Sequence, residues 1–149
     1  FLNPWSDPLG SGFQMIQSLY AIGPGGLLGF GLFNSRQKHF YLPEPQTDFI
    51  FSIISEEFGF IGCAVLIGLF VLLFYNIARK AIKETDLFGK YLIFGLLFLL
   101  MFQTILNLCV VVGLVPVTGV TLPFISYGGS SLVISMISIG IILNVGESK

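Results

Sequence analysis

Charge is what this chain has least of. Seven Lys and Arg with eight Asp and Glu supply only 10% of its 149 residues, while 54% are apolar. A soluble domain of this length needs a more charged surface to stay dispersed, so a freely soluble globule is excluded. The formal net charge is −1, which leaves no basic footprint of the kind nucleic acid requires. Cysteine is scarce too. Cys63 and Cys109 are the only two, and both fall inside apolar runs. No spacing supports a disulfide or a metal pair, so they read as small polarizable packing residues. An initiator methionine, a signal-peptide pattern and an internal repeat are all missing. The chain opens at Phe1 in what reads as a loop, and is taken as the C-terminal part of a longer protein.

What is present in quantity is long apolar stretches. Runs of about 20 apolar residues match the length of helix that spans a hydrocarbon core. The reading is therefore an all-α integral membrane protein, with three transmembrane helices at about 48–78, 87–112 and 124–144 and a long loop over 1–47 before them. That loop is rich in Gly and Pro. A helical pattern over 11–22 puts Met15, Ile16, Leu19 and Tyr20 on one face; it is too short to span and reads as interfacial or packed on the membrane region. Gly23-Pro24-Gly25-Gly26 ends it, and Gly29 and Gly31 keep the following stretch irregular or tightly packed. The first spanning helix, capped by Thr47 or Asp48, would measure about 45 Å over 48–78. That exceeds a hydrocarbon core of about 30 Å, so its first turns belong in the headgroup zone or a protein-lined cavity.

Orientation follows from Arg79, Lys80, Lys83 and Lys90 around the short connection between the first two spans, because short Lys- and Arg-rich loops stay in the cytoplasm. The long N-terminal loop and segment 113–123 then face outside, and Lys149 ends inside. Arg36 and Lys38 lie on the outer side, in a long loop where the charge rule is weakest.

Chemistry-bearing residues gather at the start of the first spanning helix. Asp48, Ser52, Ser55 and Glu56 share one face, which the small residues Gly59 and Cys63 continue. A polar stripe entering an apolar helix must meet water, protein or ligand, since lipid leaves it unsatisfied. Asp48 at its rim is thus a functional candidate, with helix capping as the alternative role. Glu56 and Glu57 can equally mark where the hydrocarbon begins. Arg36, Lys38 and His39 are suited to an anionic phosphate or pyrophosphate, or else form a solvated strip. Glu44 sits between Pro43 and Pro45, which stiffen its backbone. Gln103 and Asn107, one turn apart, read as helix-to-helix hydrogen-bonding groups, and Ser131, Ser135 and Ser138 as a small-residue packing face.

The stretches Asn34-Ser35-Arg36-Gln37-Lys38, Leu42-Pro43-Glu44-Pro45-Gln46-Thr47-Asp48-Phe49-Ile50-Phe51 and Glu56-Glu57-Phe58-Gly59 resemble the large extracellular loop and following helix of the SEDS family. That family of shape, elongation, division and sporulation proteins comprises FtsW, RodA and SpoVE. Val117-Thr118-Gly119-Val120-Thr121-Leu122-Pro123-Phe124-Ile125-Ser126-Tyr127-Gly128-Gly129-Ser130-Ser131 resembles its C-terminal signature. The likeness covers almost the whole chain and is nearest to the FtsW and SpoVE branch.

The resemblance implies the last three helices of a ten-helix peptidoglycan glycosyltransferase of the bacterial cytoplasmic membrane. Such an enzyme polymerises lipid II, a disaccharide-peptide on undecaprenyl pyrophosphate, at the outer membrane face. The family's essential loop aspartate maps onto Asp48, with the expected role of general base. A carboxylate of ordinary acidity is already ionised at neutral pH and needs no perturbation to accept a proton. Arg36 and Lys38 are expected to stabilise the departing pyrophosphate, with a divalent cation such as Mg or Mn as a further source of positive charge. Glu44, Ser52 and Glu56 complete the expected substrate-binding set. A class B penicillin-binding protein is the implied partner, besides membrane lipid. Competing readings are a transporter or flippase of lipid-linked precursors and a membrane scaffold that recruits division or sporulation partners.

Overall fold

The computed structural model describes residues 13–23, 25–31 and 48–145. Within them the secondary structure is entirely helical: α1 (Phe13–Ile22), α2 (Ile50–Lys83), α3 (Leu87–Val111) and α4 (Gly129–Asn144). Residues 1–12 and 32–47, which carry most of the loop expected from the sequence, lie outside the described residues.

Helices α2 and α3 form the centre, antiparallel and joined by a short connection. Asp86 fixes the start of α3, its carboxylate accepting from the Gly89 backbone N–H at 2.9 Å. The two helices pack through two apolar clusters. One, near the α2 start and the α3 end, contains Phe51, Phe70, Val110, Val111 and Leu122. The other, near the connection, contains Ile77, Ala81, Ile93, Leu97 and Ile142, the last drawing α4 against the pair. Lys80 also holds α4, donating from Nζ to the Leu143 carbonyl at 2.5 Å, where a cation meets the negative end of the helix dipole.

Most of the remaining apolar surface is not covered by protein. Both α2 and α3 are long and apolar enough to cross a membrane, yet only 17% and 33% of their most apolar windows are buried. Val65, Leu69, Leu72, Phe98 and Phe102 are exposed. A soluble core helix would bury such side chains, so these faces belong to a lipid environment or to further protein.

Three local features differ from the sequence expectation. First, α2 is not continuous. Gly59 has φ 65° and ψ −161°, which breaks the helix into 50–58 and 60–83. The backbone groups released there are taken up by segment 25–31. The N–H groups of Phe30 and Gly31 donate to the carbonyls of Glu56 and Glu57, each at 3.0 Å, and Phe60 and Ile61 donate to Gly26 and Leu27 at 2.9 and 3.3 Å. Every group freed by the break therefore needs a partner in a medium without water, and this segment supplies four. The part 60–83 is about 36 Å long at 1.5 Å per residue, sufficient for the hydrocarbon core. Second, α1 buries Met15, Ile16, Ser18 and Ala21 rather than Tyr20, which is 50% exposed. The small residues permit close approach to α3, and the Ser18 hydroxyl donates to the Val111 carbonyl at 2.9 Å. Third, α4 begins at Gly129, not near Phe124. Phe124 has φ 67°, a conformation incompatible with a right-handed helix. The Leu122 N–H donates to the Ser126 hydroxyl oxygen at 2.8 Å and closes a turn there.

Candidate active site

Asp48 sits in the turn immediately before α2 and is half-buried. Phe49 rather than Thr47 or Asp48 occupies the N-cap position, and no side chain caps the helix from it. What places Asp48 is α3. The side-chain amide of Asn107, fully buried, donates to the Asp48 carbonyl at 2.9 Å and to the Val120 carbonyl at 2.7 Å. One turn earlier, Gln103 donates to the Thr121 carbonyl at 3.0 Å and to the Ser131 hydroxyl at 3.1 Å. Two amide side chains spaced by one helical turn thus stitch the α3–α4 loop onto α3, and the first also fixes the backbone of Asp48.

That loop then meets the carboxylate. Gly119 has φ 70°, and a Cβ built on it would lie 3.7 Å from Oδ2 of Asp48. The Asp48 carboxylate therefore faces the backbone of the α3–α4 loop beside Gly119. Asp48, Asn107 and Gly119 come from separate stretches of the chain and converge at one end of the α2–α3 pair. Arg79, Lys80 and Lys83 lie at the opposite end, the full length of α2 away.

The other residues singled out from the sequence have different placements. Ser52 is buried, and its hydroxyl donates to the Phe49 carbonyl at 2.6 Å, so any further group can use it only as an acceptor. Glu56 is 3% exposed and Glu57 8% exposed. Segment 25–31 lies against both, the Phe30 and Gly31 N–H groups donating to their backbone carbonyls. The Glu57 Oε1 atom has no hydrogen-bond partner among the described residues. The stripe Ser52, Ser55, Glu56, Gly59 and Cys63 is buried throughout. Cys63 and Cys109 are free thiols. Arg36, Lys38, His39 and Glu44 lie outside the described residues. No group of three or more His, Cys, Asp and Glu among the described residues could hold a metal ion.

Ser135 and Ser138 are buried, each hydroxyl donating at 2.8 Å to a carbonyl of its own helix, at Ser131 and Ile134. This leaves a small, internally satisfied face for close packing. Asn107 and Gly119 had been legible only in part. The i, i+4 pair Gln103 and Asn107 was visible as a bonding pair, but nothing in the sequence shows that its acceptors are loop carbonyls.

A polar junction held between long, largely uncovered apolar helices defines a helical membrane protein with a carboxylate-bearing site at one end. Comparison with known proteins gives the particular family. The sequence pattern of the cell cycle proteins FtsW, RodA and SpoVE matches residues 1–149, and the chain belongs to that family, in its FtsW and SpoVE branch. It is 58% identical over 147 residues to the stage V sporulation protein E of Bacillus subtilis (strain 168), covering 99% of this chain and 40% of that protein. It is 52% identical over 145 residues to a probable peptidoglycan glycosyltransferase FtsW of Geobacter sp. (strain M18), covering 97% and 40%. Among solved structures, a chain of a peptidoglycan synthase complex, described for its structural coordination of polymerization and crosslinking, superposes with a TM-score of 0.74 at 39% identity, covering 95% of this chain and 38% of that one. The rod shape determining protein RodA of Thermus thermophilus superposes with a TM-score of 0.65 at 39% identity, covering 85% and 37%. The chain spans about two fifths of the length of the curated relatives it matches.

Proposed function

We propose that this chain is part of a peptidoglycan glycosyltransferase that polymerises lipid II at the outer face of the cytoplasmic membrane, with Asp48 as its general base. The observation that carries this reading is the convergence of Asn107 and Gly119 on Asp48. A base must hold its carboxylate still where the attacking hydroxyl arrives, and a bonded backbone carbonyl with a loop against Oδ2 does that. Asp48 takes the proton from the sugar hydroxyl as its oxygen attacks the anomeric carbon of the second substrate. The bond from that carbon to the pyrophosphate breaks, and the lipid pyrophosphate leaves with the electron pair. Arg36 and Lys38, and a divalent cation such as Mg or Mn, are the groups that would balance its charge. Glu44, Ser52 and Glu56 are assigned to the same substrate region, Ser52 as an acceptor only.

In this reading α4 is a third crossing. Its 16 residues give about 24 Å of helix, and the turn over 122–128 completes the span. Non-helical backbone at membrane depth is tolerated where protein covers it, and Gln103 and Ser126 cover it here. The basic connection at Arg79, Lys80, Lys83 and Lys90 faces the cytoplasm, which puts Asp48, the loop 1–47 and the α3–α4 loop outside and Lys149 inside. The relatives' names support the reaction, and the likeness to a synthase complex supports a crosslinking partner, assigned as a class B penicillin-binding protein. A polypeptide limited to these residues is expected to be inactive, since it spans only 40% of the relative it matches at 58% identity.

The test uses the protein at its relatives' length, with its partner and purified lipid II. Wild type and Asp48→Asn are compared for glycan-strand formation after folding and lipid II binding are matched. Loss of polymer with binding retained is the expected result. Polymer at the wild-type rate would leave Asp48 a structural residue and move the transporter and scaffold readings ahead.

A further inference from the structure

We propose that the end of α2 remote from Asp48 is a binding site for the headgroup phosphate of an anionic phospholipid. An open hollow of about 470 Å³ lies there, lined by Asn76, Arg79, Lys80, Lys83 and Glu84. Three cations face one carboxylate, so the lining itself does not neutralise the site.

Among the described residues, the carboxylates at this end already accept backbone hydrogen bonds. Oε1 of Glu84 accepts from the backbone N–H groups of Thr85 and Asp86 at 3.0 and 3.1 Å, and the Asp86 carboxylate caps α3 through Gly89. Lys80 is committed to the Leu143 carbonyl. Arg79 and Lys83, one helical turn apart and both exposed, remain as a pair of donors on one side of the hollow. The Arg79 guanidinium carbon stands 5.7 Å from the centre of the Tyr75 ring. That stacking holds the fork above the aromatic face while its outer N–H groups stay available for a phosphate.

The depth of the hollow identifies the anion's source. The helix 60–83 measures about 36 Å and the hydrocarbon about 30 Å, so a helix entering at Gly59 leaves the hydrocarbon near Ala78. Arg79 and Lys83 then stand at headgroup level. Tyr75 and Tyr91, 59% and 69% exposed, form the aromatic belt expected at that level. Above the basic pair the exposed side chains are Leu69, Val71 and Leu72, which suit acyl chains continuing from the same molecule. A soluble phosphate would use the cations and ignore this apolar surface; a phospholipid uses both. The inference rests on the helices crossing a membrane and is independent of the chemistry at Asp48.

The test measures the thermal unfolding midpoint of the protein at its relatives' length, in neutral detergent, against added phosphatidylglycerol, phosphatidylcholine or inorganic phosphate. Wild type should be stabilised by phosphatidylglycerol in a saturable way and much less by the other two. Arg79→Gln with Lys83→Gln should weaken the apparent affinity ten- to thirtyfold, roughly what two interfacial cations contribute, and Lys83→Arg should retain it. Both positions are exposed, and Lys83→Gln alone carries the comparison, at a smaller shift, where the double variant does not fold. Equal stabilisation by phosphatidylcholine, full competition by inorganic phosphate, or unchanged affinity in the neutralised variants would each overturn the proposal. Lipid II polymerisation is read separately, so that failure here leaves the assignment of Asp48 untouched.

Discussion

The side-chain amide of Asn107 donates to the backbone carbonyl of Asp48 across 2.9 Å, joining the last third of α3 to the turn before α2. The same nitrogen holds Val120 at 2.7 Å. Asn107 is therefore the point at which the candidate base and the loop facing it are referred to one rigid helix. Its Oδ1 has no hydrogen-bond partner among the described residues, so what Asn107 contributes to them is what its amide nitrogen donates.

Asn107→Ala removes both donations from a fully buried position and leaves two carbonyls unpaired. We expect a loss of about 2–4 kcal/mol in unfolding free energy, measured by denaturant titration in detergent. Polymer formation should fall at least tenfold even at temperatures where the variant is folded, because the Asp48 backbone is no longer fixed. A folded Asn107→Ala protein polymerising at the wild-type rate would show that this tether does not aim the carboxylate.

Gly119 limits the same site from the loop side. In Gly119→Ala the new methyl meets Asp48 Oδ2 at an ordinary 3.7 Å, so the cost is backbone strain at φ 70°, about 1–2 kcal/mol. Gly119→Val adds branching against the carboxylate. The strain should lower the unfolding midpoint by several degrees in both variants, while polymerising activity, measured below that midpoint, declines in the order Gly, Ala, Val. An unchanged rate in the Val variant would place the functional face of Asp48 away from the loop.

The class of this protein and its apolar helices were legible in the sequence, because those depend on hydropathy, spacing and the resemblance. The break in α2 was not. Gly59 looked like one more small residue on a helical face, since a lone glycine in an apolar helix is compatible with either outcome. What decides is a distant segment, 25–31, four of whose backbone groups bond across the break. The acceptors of Gln103 and Asn107 were hidden for the same reason: loop carbonyls have no side-chain signature. For Ser52, periodicity showed a face and not that its hydroxyl already donates to the Phe49 carbonyl.

Gln103 bonds both the loop carbonyl of Thr121 and the Ser131 hydroxyl, tying loop and α4 to one side chain. A double-mutant cycle with Gln103→Leu and Ser131→Ala should return a coupling of about 0.5–1.5 kcal/mol. Gln103→Leu should cost more than Ser131→Ala, because only the former also orphans the Thr121 carbonyl. Additivity within error would mean that the two side chains do not bond in the membrane.

The junction at Gly59 makes the sharpest stability prediction. A Cβ at Gly59 would strike the Gly29 backbone nitrogen and come within 2.7 Å of the Leu27 carbonyl, and one at Gly29 would strike the Glu57 carbonyl. Both residues have positive φ, 65° and 71°, so Ala at either is opposed by strain and by backbone contact that no rotamer relieves. At Gly68 a Cβ would meet nothing within 4 Å, and Gly68→Ala should fall within about 1 kcal/mol of wild type or be more stable, as expected for helix interiors. Gly29→Ala and Gly59→Ala should instead separate segment 25–31 from α2. Hydrogen exchange should then rise at Phe30, Gly31, Phe60 and Ile61, whose N–H groups make the bonds across the break, while protection near Ile93 in the second apolar cluster persists. Exchange unchanged at those four amides would mean that α2 closes into a continuous helix without the segment, with Gly59 a packing residue and not a break.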